Sequence, residues 1–181
     1  MTQEQVTEDI GHILVVDDYP MNRIKLSRVL EQQGHTVSAF DICDARVPDH
    51  ARRIFRQDSA LSIDYSEYDL IVCPGLLYHL SLSQQVSLVE KWKGLPVILD
   101  THICIEPSIS VVNSGLTFDG LFREPTWSTK VGQAFVHTLD SLRRLMNNWT
   151  LVDTKISTVD RVTCHFVPQS ASVTTLKSLE S

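Results

Sequence analysis

The chain has 181 residues, of which 43% are hydrophobic and 21% are charged, and its formal net charge is −6. The length suits one domain with an added segment, and the acidic balance argues against a general nucleic-acid binder. No apolar run approaches the ~18 residues of a membrane span, and the polar residues 1–10 predict an N-terminal tail rather than a signal peptide. The cysteines are scattered without a CxxC pair, which favours a reducing, cytoplasmic location: Cys43, Cys73, Cys104 and Cys164.

The first half of the chain alternates short apolar runs with segments of helical spacing. Residues 13–16 are apolar and mostly β-branched, which predicts a strand buried on both faces. A helix is predicted from Pro20 to a stop at Gly34, and a strand follows over 35–40. The next stretch is less regular, and its segment ARRIFRQ, residues 51–57, is interpreted as helical.

The second half continues the alternation. Its predicted elements are a strand over 70–73 ended by Pro74 and Gly75, a helix over 83–93, a strand over 96–99, a short helix over 107–114, a strand over 118–122 and a final helix over 127–147. Short apolar strands that alternate with amphipathic helices predict an α/β fold with a parallel sheet.

The predicted architecture is a doubly wound, five-stranded parallel sheet of the flavodoxin type over residues 11–147. Residues 41–67 form an enlarged second helix and loop region, and 148–181 form a C-terminal extension with an edge strand and then a flexible tail. In such sheets ligands bind at the carboxyl ends of the strands. Asp17 and Asp18 follow the first strand and therefore lie at that edge.

The segment HILVVDDYPMNRIKLSRVLEQQGHTVSAF, residues 12–40, resembles the first third of a response-regulator receiver domain. Three shorter stretches, YDLIV, LPVILDT and DGLFREP, extend this CheY-like resemblance. It implies phosphorylation by a histidine kinase or phosphotransfer protein. It also implies that Asp17 and Asp18 bind Mg²⁺ and that Thr101 ends the fourth strand of the site.

Three positions depart from the family's pattern. Pro74 stands at the phosphoacceptor position and cannot accept a phosphoryl group, and Glu124 stands where the family has lysine. Leu121 occupies the position of the aromatic switch residue. The site is therefore predicted to be degenerate and without catalytic residues, while the alternative keeps Asp100 as a displaced acceptor.

The acidic pair has two readings. Asp17 and Asp18 either hold a weak Mg²⁺, with Glu124 as a third carboxylate, or cap the first helix, where negative charge is favourable. Asp100, His102 and Cys104 share one face at period two but offer no fourth ligand, so they are read as incidental loop residues. A partner face is predicted at Phe122, Arg123 and Trp127, with core packing as the alternative for the tryptophan.

Together these features predict a pseudo-receiver: a cytoplasmic, non-enzymatic signalling module without a cofactor, apart from a weak Mg²⁺ at most. Its expected partners are a histidine kinase, a phosphotransfer protein, another response regulator or a second copy of itself, with no membrane or nucleic-acid partner. Two alternatives stay open, namely a phosphorylatable receiver that uses Asp100 and the regulatory N-terminal part of a larger signalling protein.

Overall fold

The computed structural model describes residues 11–17, 20–41, 53–57, 60–124 and 133–169. Its elements are β1 (His12–Val16), α1 (Pro20–Gln32), β2 (Thr36–Asp41), β3 (Arg53–Gln57), β4 (Leu70–Pro74), α2 (Leu82–Lys91), β5 (Val97–His102), β6 (Ile109–Asn113), β7 (Leu116–Arg123), β8 (Ala134–His137), α3 (Leu139–Leu145), β9 (Trp149–Thr158) and β10 (Arg161–Pro168). Short 3₁₀ turns cover Tyr65–Glu67 and Leu77–His79.

A seven-stranded sheet forms the centre of the fold, in the order β3-β2-β1-β4-β5-β10-β9. The pairs within β3-β2-β1-β4-β5 are parallel, whereas β10 runs antiparallel to both β5 and β9. The prediction of an α/β fold is confirmed. The predicted strands over 35–40, 13–16, 70–73 and 96–99 are neighbours in that order, as a flavodoxin-type sheet requires. The prediction of a five-stranded, purely parallel sheet is wrong, because β3 is added outside β2 and the antiparallel β10 takes the place of the fifth strand beside β5.

Two local predictions are wrong, and a third is confirmed only in part. Residues 53–57 form β3, which pairs with β2, rather than a helix. Residues 109–113 form β6 because Ser114 and Gly115, both at positive φ, make a tight turn into β7. The predicted strand over 118–122 exists, but it belongs to β7 in a separate antiparallel sheet, β6-β7-β8.

The last predicted helix is much shorter than expected. The structure places a buried strand, β8, before it, and the helix α3 begins only after Thr138, whose side chain accepts a hydrogen bond from the Ser141 N–H at 3.1 Å. Residues 125–132 lie outside the described part of the chain. The alternating stretch after residue 158 is a strand as predicted, yet β10 lies inside the sheet and β9 takes the edge.

Two apolar clusters hold the sheet between its layers. The larger one contains the fully buried Trp92, Leu88 and Leu142 from the helical side and Phe166 from β10. The smaller one packs the α1 residues Leu26 and Leu30, with two further partly buried residues, on the other face of β1, β2 and β4. A capping box fixes the start of α2, because Ser81 and Gln84 exchange side chain to backbone hydrogen bonds.

A buried histidine joins the second sheet to α2 and α3. His137 Nε2 lies 2.7 Å from Gln85 Oε1, and His137 Nδ1 lies 2.7 Å from Ser141 Oγ. Gln85 Nε2 donates to the carbonyls of Leu80 and Phe135, so its Oε1 is left to accept the proton of the neutral imidazole. Burial lowers the pKa of His137 to about 3.

We expect this histidine to make the fold acid-sensitive. The unfolded chain protonates His137 near the ordinary pKa of 6.5 while the folded chain does not, so stability is lost as the pH falls below that value. The loss by about pH 5 amounts to about 2 kcal/mol. Urea unfolding near pH 6.5 and near pH 5 measures this loss of stability, with His137→Gln as the comparison variant. An equal loss in that variant would contradict the assignment.

Candidate functional site

The sheet reverses its winding between β1 and β4. The chain moves outward from β1 through β2 to β3, then returns to place β4 on the other side of β1. In open α/β sheets, ligands bind outside the carboxyl ends of the strands at such a point. The candidate site is therefore the carboxyl edge of β1, β2, β4 and β5, together with the start of β10, and we call it the carboxyl edge.

The β1–α1 corner is built from charged residues. Asp17 follows β1 and is only 1% exposed, and Arg23 of α1 is fully buried. Arg23 Nη1 donates a hydrogen bond to the backbone carbonyl of Asp17, which fixes the turn. Asp18, the next residue in sequence, lies outside the described residues. The last residue of β2 is also an aspartate, Asp41.

A second charged group lies where β5 meets β10. Arg161 Nε donates to Asp100 Oδ1 at 2.6 Å, and Thr163 Oγ1 donates to Asp100 Oδ2 at 2.7 Å. Burial by itself would lower the pKa of Arg161, but the hydrogen bond and the charge of Asp100 raise it instead, with smaller contributions from Tyr78 and Asp17. The Arg161 guanidinium is thus paired with Asp100, and it lies close enough to Asp17 after β1 for that carboxylate to contribute to its pKa.

A histidine–aspartate pair lies beside this group. His102 ends β5, and its Nδ1 lies 3.1 Å from Asp160 Oδ2 in the β9–β10 turn. A hydrogen bond from Thr158 Oγ1 at 3.1 Å, joined by the one from His102, holds the pKa of Asp160 below its usual value. An ionised carboxylate only accepts, so Nδ1 donates to Asp160, and in the neutral form of the imidazole Nε2 is the nitrogen that carries the lone pair.

Aromatic and backbone contacts complete the carboxyl edge. The Tyr78 ring meets the His102 ring edge-on at a centroid distance of 4.5 Å, and it also contacts His79 at 4.2 Å. Gly75, which follows β4, adopts a positive φ of 85°, and its N–H donates to the Asp100 carbonyl at 2.9 Å. This turn brings the segment after β4 over the end of β5.

The receiver-type site is not assembled. Pro74 pairs with Asp100 at the end of β4, but Leu121 belongs to β7 of the second sheet, and Glu124 directly follows that strand. Thr101 is buried on the opposite face of β5 from Asp100. The strand beside β5 is β10, so the residue correspondences assumed for a fifth parallel strand are wrong.

The metal prediction at Asp17 and Asp18 and the interaction prediction both stay predictions, because Asp18 and Trp127 lie outside the described residues. Among the described residues, no cluster of three or more acidic, histidine or cysteine side chains is placed to hold a metal ion. Burial raises the pKa of the Cys104 thiol, whose Sγ contacts the Val136 carbonyl, and this keeps the thiol protonated. Phe122 and Arg123 are exposed, while Trp127 lies outside the described residues, so the partner face stays a prediction.

Sequence reasoning missed Asp160, Arg161 and Tyr78. The one available signal was the polar alternation Asp100, His102 at the end of a strand, which was read as incidental. Its partners come from an antiparallel strand some 60 positions later, a separation of 58 for His102 and Asp160. No spacing rule for local motifs covers such a distance.

A cavity lies on the other edge of the sheet. It has a volume of about 530 Å³ and is lined by residues 62–66 before β4 and by Lys91 and 93–95 before β5. Since β4 and β5 are parallel, this cavity opens at their amino ends, on the opposite edge of the sheet from the carboxyl edge.

No described helix is long and apolar enough to cross a membrane.

No protein-family model and no curated protein sequence matches this chain. Solved structures match its fold. The N-terminal domain of EvdMO1, solved with SAH bound, is 12% identical over 88% of this chain and 74% of that chain, with a TM-score of 0.60. A putative S-adenosylmethionine dependent methyltransferase from Listeria monocytogenes is 9% identical over 88% and 90%, with a TM-score of 0.58.

A putative Zn-dependent alcohol dehydrogenase from Rhodobacter sphaeroides matches as well, at 9% identity over 88% of this chain and 85% of that chain, with a TM-score of 0.61. At these identities the likeness concerns the fold alone. The chain has a Rossmann-like α/β fold with a mixed sheet, similar to that of a putative S-adenosylmethionine dependent methyltransferase. The receiver resemblance and the pseudo-receiver signalling role are therefore overturned. The expectation of no enzymatic activity depended on that resemblance and is overturned with it.

Proposed function

We propose that this chain binds S-adenosylmethionine at its carboxyl edge and transfers the methyl group to a nucleophile held over the ends of β4 and β5. The observation that carries the proposal is the winding reversal at β1, where polar groups gather, in a fold similar to that of a putative S-adenosylmethionine dependent methyltransferase. Ligands of such sheets bind at this place.

The charges at the β1–α1 corner favour a cationic ligand over a pyrophosphate. Sites for dinucleotide pyrophosphates use a glycine-rich turn, whose backbone approaches the phosphates closely. Here the chain has no glycine between Gly11 and Gly34, and the turn contains Asp17 and Asp18. Two adjacent carboxylates repel a pyrophosphate but attract the sulfonium and ammonium groups of S-adenosylmethionine, so the donor set fits this cofactor.

Asp41 is expected to bind the ribose. A carboxylate at the end of the second strand accepts hydrogen bonds from ribose hydroxyls in Rossmann-type sites. Hydrogen bonds to a charged group contribute about 1.5–3 kcal/mol, so Asp41→Asn should weaken the affinity for S-adenosylhomocysteine by about tenfold to a hundredfold. Isothermal titration calorimetry measures this affinity. Asp153→Asn, an exposed change on the distant strand β9, is the control and should leave it unchanged.

The His102–Asp160 pair gives the site a proton acceptor. Asp160 holds the Nδ1 proton of His102, so Nε2 is available to take the proton of an acceptor hydroxyl or amine. Bound S-adenosylmethionine supplies an electrophilic methyl group. Tyr78, edge-on to the imidazole, limits rotation of His102 and shields it from water on that side.

A comparison of the affinities for two ligands tests the proposal. The chain is titrated calorimetrically with S-adenosylhomocysteine and, separately, with NAD⁺. We expect saturable binding of S-adenosylhomocysteine at micromolar concentrations and at least tenfold weaker binding of NAD⁺. Tighter binding of NAD⁺ would favour a dinucleotide site and contradict the charge argument. Absence of any binding of S-adenosylhomocysteine up to about 1 mM would overturn the proposed function.

A further inference from the structure

The outermost strand of the large sheet presents a long exposed edge. The strand β9 has ten residues, and among the described residues no strand pairs with its outer side. Two apolar side chains on it are strongly exposed, Val152 at 48% and Ile156 at 62%. An exposed strand edge is a ready template for pairing with another strand.

The sequence of β9 is complementary to itself when two copies run antiparallel about Thr154. In that register Asp153 faces Lys155 of the second copy and Lys155 faces its Asp153, so both cross-strand pairs join opposite charges. Ile156 lies on the opposite face of β9 from Asp153 and Lys155. A register moved by two residues loses both charge pairs.

The backbone geometry of β9 is compatible with antiparallel pairing to a second copy of the strand. The ladder with β10 skips Val152 and Ser157, which leaves Asp153–Ile156 as a regular segment. Within it, the Thr154 N–H donates to its neighbour's carboxylate, Asp153 Oδ1, at 2.8 Å, which indicates that this N–H points away from β10. In an antiparallel pair, the Thr154 N–H would instead donate to the Thr154 carbonyl of the second copy.

We propose that two copies of this chain associate through β9, antiparallel about Thr154, and extend the seven-stranded sheet across the interface. On pairing, each Asp153 carboxylate exchanges its hydrogen bond with Thr154 N–H for contact with Lys155 of the second copy. The contact comprises a single strand from each chain, so the buried area is below that of a standard permanent interface. The dimer is therefore weak and depends on protein concentration.

A charge-reversal series in the full chain tests the pairing. Sedimentation velocity over a range of protein concentrations measures the dimer dissociation constant. Lys155→Asp places Asp153 opposite a second carboxylate at two symmetric positions and should weaken the dimer about tenfold, and Asp153→Lys should do the same. The double variant Asp153→Lys with Lys155→Asp restores opposite charges and should recover the wild-type constant. Lys25→Asp on α1 is the control and should have no effect.

Each other outcome overturns the proposal. A wild-type chain that stays monomeric up to about 100 µM would mean that Asp153 and Lys155 protect the edge, or that residues 170–181 of the same chain cover it. A dimer that the single reversals leave unchanged would use another surface. A double variant as weak as the single ones would show that the charges act without pairing across the interface.

Discussion

Replacing Gly120 with alanine is expected to lower the free energy of unfolding by about 3 kcal/mol or more. Gly120 lies in β7, opposite His137 of β8. A Cβ at this position would collide with the backbone carbonyl of Val136 and would lie 2.6 Å from Phe135 Cζ. The carbonyl belongs to the paired strand and the phenylalanine is fully buried, so neither atom can move without breaking the β7–β8 pairing.

Gly11→Ala is the matched control. A Cβ at Gly11 would meet its nearest atom, Asp69 Oδ2, at 3.7 Å, which is an ordinary van der Waals contact. We therefore expect a change below about 1 kcal/mol. Urea unfolding of both variants makes the comparison. Equal stability of the two variants would show that the second sheet is not packed as described.

Replacing His102 with glutamine is expected to lower the rate of methyl transfer by about a hundredfold to ten-thousandfold, the usual contribution of a positioned general base. Glutamine fills similar space but cannot accept a proton at neutral pH. The assay follows label from methyl-labelled S-adenosylmethionine into a mixed panel of phenols, catechols and primary amines. The affinity for S-adenosylhomocysteine should stay within about twofold of wild type, because His102 acts on the acceptor.

Two further variants separate a chemical role from a structural one. His165→Gln changes another histidine of the same sheet, in β10, and should leave transfer unchanged. Asp160→Asn removes the carboxylate that fixes the tautomer of His102 and should lower the rate and shift its pH profile, while the affinity for S-adenosylhomocysteine is retained. A wild-type rate in His102→Gln would contradict the assignment of the base.

The strands of the parallel half of the sheet and their order were accessible from the sequence, whereas β3 on one side and β10 and β9 on the other were not predicted as parts of this sheet. Residues 13–16, 35–40 and 70–73 predicted strands because they are short, apolar and bounded by turn residues. Those same residues fit both folds, since β1, α1 and β2 form a β-α-β unit in either fold. The resemblance of residues 12–40 to receiver domains describes that shared unit, and a shared unit does not decide function.

The second sheet and the antiparallel pair depend on long-range pairing. The Ser114–Gly115 turn was a local signal for the β6–β7 hairpin, but the segment before it was read as a helix that begins at Pro107. Phe135 and Thr138 matched a helical period although one lies in β8 and the other caps α3. A helical spacing of apolar residues does not by itself distinguish a helix from a strand followed by a helix cap, because strand pairing with distant residues can outweigh local propensity.

The candidate site also combines residues that the sequence pointed to with residues that only long-range pairing brings together. Asp17 and Asp18 were identified as unusual for a strand end, and Asp100 with His102 as a polar face. Their meaning depends on Arg161 and Asp160, which the antiparallel strand β10 and its turn bring to the end of β5. Asp17 therefore follows the first strand of a Rossmann-like sheet, and under the proposed function the charge of Asp17 and Asp18 selects among ligands.

The central claim is that S-adenosylmethionine-type ligands bind at the carboxyl edge. Amide chemical-shift mapping of the ¹⁵N-labelled chain during a titration with S-adenosylhomocysteine tests it most directly. We expect the shifts to concentrate at Asp17, Asp41, residues 75–79 and residues 100–102, at the carboxyl ends of β1, β2, β4 and β5. Shifts centred on residues 62–66 and 91–95, around the cavity at the opposite edge, or no shifts at saturating ligand, would contradict the account.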